Sequence, residues 1–242
     1  MIEAVFISDL HLHPQESAIT DRFHYFIQWA ASNTQSVYIL GDFFHVWPGD
    51  EALDAWSQSI ATQLAWLAAR GVKLYFMHGN RDFLLGERFA KLASMTILAE
   101  PTVITLDGKS VLLVHGDRYC VRDKGHRWLR RLTRNAIFPA LFLRLPYKIR
   151  AKLVNKVREH SQANRKKSIP YMDIVTPVML SHMQQLHVRF LVHGHIHKPG
   201  LMTHEYHGEN YYQYVLSDWD DIPSLMCYDR ANGFYFVRLI GG

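Results

Sequence analysis

Cysteine is scarce: Cys120 and Cys227 are the only two in 242 residues. Two isolated thiols make no disulfide framework, and neither belongs to a C-x-x-C pair, which argues against a thiolate zinc site. They read as reduced thiols in a reducing compartment. No run of 18 apolar residues occurs, so no segment is suited to cross a membrane as a helix. The chain opens Met1-Ile2-Glu3 without a basic, then apolar, leader, so a secretory signal is not expected and a cytoplasmic protein is. Long polar and low-complexity tracts are missing as well. What is left is an ordinary globular composition, 48% hydrophobic and 20% charged, of a length that suits one domain with room for an insertion.

Acidic residues are rare in one place. Residues 122–167 hold 15 Lys+Arg against 2 Asp+Glu, a balance of +13, whereas the rest of the chain holds 12 against 20, a balance of −8. A mildly acidic body thus carries one strongly basic segment, which suits an anionic partner.

Short apolar runs at 4–7, 37–40, 74–77, 111–114 and 190–192 read as buried strands. Helical patterns lie between the early ones. Residues 51–69 put Leu53, Trp56, Ile60, Leu64 and Leu67 on one face, and Gly71 fits a helix stop. Thr176-Pro177 predicts a helix start, with Thr176 as N-cap, running to about His187. Alternation of strands and helices predicts an α/β fold with a central sheet. Later, Asp107-Gly108 predicts a hairpin, and 200–240 read as antiparallel strands broken at 207–210 and 231–233. Residues 118–170 lack any good strand and are read as an inserted helical cap on a domain spanning 1–242.

Each strand-like run ends in polar residues of one kind. In order they are Asp9-Leu10-His11, Gly41-Asp42, Gly79-Asn80-Arg81-Asp82, His115-Gly116-Asp117 and Gly194-His195-Ile196-His197. Ligands of open α/β sheets bind beyond the carboxyl ends of strands, so five such ends can bring these side chains together. Carboxylate and amide oxygens mixed with imidazoles suit Mn, Fe or Zn better than Ca. Any one motif is weak, but five in order predict a metal site. His13, His45 and His78 lie near these motifs without an assigned role.

This order of motifs resembles that of the calcineurin-like metallophosphoesterases over nearly the whole chain. The resemblance implies an α/β/β/α sandwich, two sheets flanked by helices. It also implies two cations, the first on Asp9, His11, Asp42 and His197, the second on Asp42, Asn80, His115 and His195, with Asp42 bridging. Two ions about 3.5–4 Å apart can hold a hydroxide that attacks phosphorus in line.

Arg81 stands where many relatives have a His able to protonate a leaving alkoxide. Arginine stays charged and cannot do so, but it can hold phosphate. A phosphate leaving group needs no proton donor, so a phosphoanhydride substrate is expected. The Gly-Asn-Arg-Asp motif, the run from Phe43-Phe44 through Trp47 to Gly49-Asp50, and the basic cap together resemble one branch of the family. That branch cleaves the pyrophosphate of a UDP-linked diacylated glucosamine in bacterial lipid A synthesis. This implies Mn²⁺, catalytic Asp42, Asn80, Arg81 and His115, and substrate contacts from Asn80, Arg81, Asp123, Ser161, Asn164, Lys167 and His195. It further implies a peripheral place on the cytoplasmic face of the inner membrane, where amphipathic basic helices meet acyl chains and headgroups. A monomer that binds no nucleic acid is expected. A phosphodiesterase or nuclease on the same fold, and a non-catalytic scaffold, are the alternatives.

Overall fold

The computed structural model describes residues 1–122, 124–135, 137–154, 156 and 174–240. Asp123, Ser161, Asn164 and Lys167 lie outside the described residues.

Two sheets stack face to face. The first runs β11 (Gly233–Arg238), β10 (Ser224–Asp229), β1 (Ala4–Ile7), β2 (Ser36–Ile39), β3 (Lys73–Met77), β4 (Met95–Leu98). β1 to β4 are parallel, and β10 and β11 continue the sheet antiparallel. The second runs β5 (Thr102–Leu106), β6 (Lys109–Leu113), β7 (Phe190–His193), β9 (Glu209–Val215), β8 (Gly200–Tyr206). There β6, β7 and β9 are parallel, and the outer strands pair as hairpins. There are two sheets flanked by helices, as the family resemblance implied; the strand pattern alone did not separate the second, which the hairpin strands build around β6 and β7.

Side-chain alternation explains the layers. Along β1, Val5 and Ile7 pack with α1 (Ser17–Asn33), α2 (Ala55–Ala68) and α3 (Glu87–Leu92), while Ala4 and Phe6 face the other sheet. In β6, Val111 and Leu113 meet the first sheet, and Leu112 packs with Met179, Leu180 and Met183 of α7 (Thr176–Gln185). Strands covered on both faces read as unbroken apolar runs, which is why these strands were legible. Truncating a residue such as Phe6, which is fully buried, costs about 3–5 kcal/mol.

Local chemistry moves several boundaries. The helix expected from residue 51 begins at Ala55, because Asp54 caps it: its carboxylate accepts the Ser57 amide at 2.8 Å, and the Ser57 hydroxyl accepts the Asp54 amide at 2.9 Å. Thr176 is not an N-cap. It is the first residue of α7, the cap position is Val175, and Pro177 sits in the first turn. The hairpin at Asp107-Gly108 is present, both residues having positive φ (45° and 76°), as a two-residue turn of that hand requires.

Between β6 and α7 the described residues include three α-helices: α4 (Lys124–Thr133), α5 (Ile137–Phe142) and α6 (residues 147–154). Arg150 departs from the reading of the segment's basic residues as a surface for anionic headgroups. It is 1% exposed, donates to the Pro48 carbonyl at 2.6 Å and the Leu145 carbonyl at 3.0 Å, and pairs with Glu51 at 3.0 Å. It is a bolt between α6 and the body, not a headgroup contact.

Candidate metal centre

The parallel strands β1, β2 and β3 of one sheet and β6 and β7 of the other end side by side. Their terminal loops bring Asp9, His11, Asp42, Asn80, His115, His195 and His197 into one pocket. Asp9 Oδ1 lies 3.4 Å from His197 Nε2, and Asp42 Oδ1 lies 3.7 Å from His115 Nε2. Asn80 Oδ1 is 3.0 Å from His115 Nε2. The His11 and His197 rings are 5.5 Å apart, and the His115 and His195 rings 5.1 Å apart.

Backbone conformation aims these side chains. Asp9, His11, Asp42, His195 and His197 all have positive φ, between 52° and 71°. Non-glycine residues adopt that region rarely and at a cost, chiefly where function requires it. Gly79 and Gly194 permit the loops to close. A Cβ on Gly79 would lie 2.2 Å from both the amide and Oδ1 of Asp42, and one on Gly194 would lie 2.2 Å from Asp9 Oδ2.

Groups that carried no assignment in the sequence hold these side chains in place. Asp82 is fully buried and accepts from the amides of Gly79 (2.7 Å), Phe43 (2.7 Å) and Asp42 (3.3 Å). Ser8 donates to Asp9 Oδ2 at 2.6 Å, and the His195 amide donates to the same oxygen at 2.8 Å. Asp218 Oδ2 lies 3.1 Å from His197 Nδ1, and the Leu40 carbonyl lies 2.9 Å from His115 Nδ1. The last two have a specific consequence. With Nδ1–H engaged by an oxygen, each ring turns Nε2 inward as a lone-pair donor, the arrangement characteristic of metal-ligating imidazoles. The sequence signal for Asp82 was its place in Gly-Asn-Arg-Asp. Asp218 had none, since it lies 21 residues beyond His197.

The donor set fits a divalent cation. Asp9 Oδ1 and His197 Nε2 are buried and neither makes a hydrogen bond. Two triads place one potential donor atom each within 4.8 Å of the others: Asp9, His11 and His197, and Asp9, Asp42 and His115. They share Asp9. The pocket also draws positive charge. Burial pulls the His197 imidazole down, but Asp218 and Asp9 outweigh it and hold the group up at about 9. Burial likewise opposes protonation of His115, yet Asp42, Asp9 and Asp117 hold it above the usual histidine range. Cations bind such a site by replacing those protons.

Arg81 reaches the rim of the pocket. Its amide donates to Asp42 Oδ1 at 2.9 Å, its Nε lies 3.4 Å from Asp42 Oδ2, and its Nη1 lies 3.3 Å from His45 Nδ1. His13 stacks edge-on against His45, 5.4 Å between ring centres. His78 packs inside, its Nε2 2.8 Å from the Leu85 carbonyl.

The chain belongs to the calcineurin-like phosphoesterases, whose family profile matches residues 3–199. A solved structure titled as a novel archaeal phosphodiesterase has the same fold. It is 12% identical, with a TM-score of 0.50 over 97% of this chain and 98% of that one. Within the family the chain is similar to proteins named UDP-2,3-diacylglucosamine hydrolase. The one from Stutzerimonas stutzeri (strain A1501) is 42% identical over 88% of this chain and 90% of its own. The one from Pseudomonas aeruginosa (strain UCBPP-PA14) is 42% identical over 90% and 92%.

Proposed function

We propose that this protein hydrolyses the pyrophosphate bond of UDP-2,3-diacylglucosamine, giving UMP and 2,3-diacylglucosamine 1-phosphate (lipid X), in lipid A biosynthesis. The convergence of seven Asp, Asn and His side chains at five strand ends is the observation that carries this reading. The 42% identity to hydrolases of that name supports the substrate.

Two Mn²⁺ ions would be held there, one by Asp9, His11, Asp42 and His197, the other by Asp42, Asn80, His115 and His195. Bound cations of this kind supply Lewis acidity and a water nucleophile at neutral pH. The chain supplies the rest. Asn80 and Arg81 hold the phosphate oxygens, and the fixed guanidinium of Arg81 stabilises charge without donating a proton. The departing phosphate requires none, which is why arginine serves at this position.

The helical segment serves as a cap over the pocket. Arg134 of the segment donates to the His78 carbonyl at 2.8 Å, and Arg150 reaches Pro48, so it grips both sides of the loops that carry Asp42 and Asn80. Trp128 and Ile137 are each 66% exposed, and Leu141, Ile149 and Leu153 are exposed beside Arg131, Lys148 and Lys152. This mixture suits acyl chains and anionic headgroups, and a peripheral position on the cytoplasmic face of the inner membrane. A cavity of about 250 Å³ of mixed lining, with Trp56, Tyr147 and Ala151 on one hand and His13, Asp54 and Ser57 on the other, lies where α6 meets the body. No helix among the described residues is long and apolar enough to cross a membrane. Asp123, Ser161, Asn164, Lys167 and His195 complete the substrate contacts, and the protein acts as a monomer without nucleic acid.

The test is incubation with the substrate in ¹⁸O water, with Mn²⁺ and with EDTA. UMP and lipid X should form only with the cation, and Asp42→Ala should abolish turnover. Failure to release UMP with any divalent cation, or equal turnover of an unactivated alkyl phosphodiester, refutes the proposal.

A further inference from the structure

We propose that Glu100 is a positioning residue for His115, and the joint through which cap helix α4 holds the Asn80/His115 half of the metal centre. The inference rests on His115 and Asn80 being ligands.

Glu100 lies between β4 and β5, far in sequence from every motif, and its side chain is 4% exposed. Its two oxygens face opposite ways in function. Oε1 accepts the backbone amide of His115 at 3.2 Å. Oε2 accepts from Arg130 Nη2 at 2.9 Å and lies 3.5 Å from Arg134 Nη2. Arg130 Nε also donates to Asp117 Oδ1 at 3.1 Å, two residues beyond His115. Arg134 Nη2 donates to the His78 carbonyl at 2.8 Å, two residues before Asn80. The two arginines, one in the last turn of α4 and one just past its end, therefore grip the loops that end β3 and β6. Glu100 and Asp117 are almost wholly enclosed, and the guanidiniums are mostly so. Two negative and two positive charges balance, and a buried charge left without its partner is strongly unfavourable.

The His115 ring is fixed from the opposite side by the Leu40 carbonyl. Glu100 fixes the backbone from which that ring projects. The Asp9, His11 and His197 group takes its anchors from Ser8, Asp218 and the His195 amide instead. Loss of Glu100 should therefore disturb one half of the centre and spare the other. It should also loosen α4 at the same time.

The decisive variants are Glu100→Ala, Glu100→Gln and Arg130→Gln. The first readout needs no cation: amide hydrogen exchange, residue by residue, in the metal-free protein. In Glu100→Ala the His115 amide should exchange at least tenfold faster while the Asp9 amide, held by the Gly41 carbonyl, stays protected. Glu100→Gln retains an oxygen acceptor and should restore most of the protection. Arg130→Gln should give a smaller change of the same kind, and it serves if Glu100→Ala does not fold. The second readout is Mn²⁺ titration followed by electron paramagnetic resonance. One cation should bind about 10–100-fold more weakly in Glu100→Ala, the range typical when a partner of a ligand is removed, and the other should bind as before. Protection of His115 unchanged in Glu100→Ala, or lost equally at Asp9, overturns the proposal. Wild-type protein that binds no cation refutes the metal reading instead, while the exchange result still decides the role of Glu100.

Discussion

Asp82→Ala should destabilise the fold by about 3–5 kcal/mol. The Asp82 carboxylate is wholly buried and receives three main-chain N–H groups, from Gly79, Asp42 and Phe43. A buried donor left unpaired costs about 1–3 kcal/mol, and bonds to a charged acceptor lie toward the upper end. Water entering the space vacated by the carboxylate recovers part of the loss, which brings three such donors to the stated range. Asp82→Asn keeps one carbonyl oxygen but turns an NH₂ toward one of the amides, so about half the loss is expected. Urea denaturation at pH 7.5 with EDTA present measures this without any contribution from bound cation, and an unchanged slope confirms that the transition remains comparable. An Asp82→Ala variant within about 1 kcal/mol of wild type would refute the reasoning. So would an Asn variant less stable than the Ala variant.

Gly194→Ala places a methyl 2.1 Å from Ser8 Oγ and 2.2 Å from Asp9 Oδ2. Neighbours must retreat by about 1.2 Å to reach ordinary contact, an overpacking of about 1–3 kcal/mol. The expected result is a modest fall in melting temperature with a far larger loss of Mn²⁺ affinity, checked by differential scanning fluorimetry and metal titration. His182 predicts an acid-side instability. Burial, with Arg118 adding to it, lowers its imidazole to about 4 from an ordinary 6.5. The folded ring stays neutral where the unfolded one takes a proton, so the stabilisation is complete above pH 6.5 and is lost as pH falls toward 4. Partial exposure reduces the effect to about 1 kcal/mol. His182→Gln should flatten the loss of stability between pH 7 and pH 5, and a parallel loss in both proteins would show that His182 is not responsible.

Much of the fold was legible because its central strands are covered on both faces. Runs such as Ala4-Val5-Phe6-Ile7 have no polar face to interrupt them, and each stops abruptly at the polar residues of the pocket. α1 was harder to delimit. Its stripe of Ile19, Phe23, Phe26, Ile27 and Ala30 has helical spacing, but Glu16 at its cap position makes no capping hydrogen bond, so tertiary packing alone sets where it begins. β4 was invisible because Met95–Leu98 is short and only Met95 is buried. The ligand candidates were legible through motif order. Their supports were not: Asp218, Glu100, Arg130 and Arg134 reach the pocket from loops and a helix with no spacing signal. The charge of the cap, read from the sequence as one basic segment, divides in the folded chain into outward residues such as Lys148 and Lys152 and inward ones such as Arg150.

The strain and the charge of the centre are sustained by what lies behind them. Five residues of the pocket hold a left-handed backbone conformation, each at roughly 1–2 kcal/mol. Asp9 and Asp42 add buried negative charge in the same space. A loop on a poorly packed scaffold would relax by turning these residues back to ordinary φ, and the side chains would scatter. Here the loops cannot turn. Each springs from a strand sealed between two apolar layers, and each is tied across to its neighbour: His11 N to the Asp42 carbonyl at 3.0 Å, Asp9 N to the Gly41 carbonyl at 3.1 Å, Gly194 N to the His115 carbonyl at 2.9 Å. The last of these bonds joins two strand ends of the second sheet, and the Asp9 carboxylate, by accepting the His195 amide, joins that sheet to the first. The sandwich is therefore not a neutral platform for the site. Its two sheets are what hold Asp9, His11, Asp42 and Asn80 opposite His115, His195 and His197.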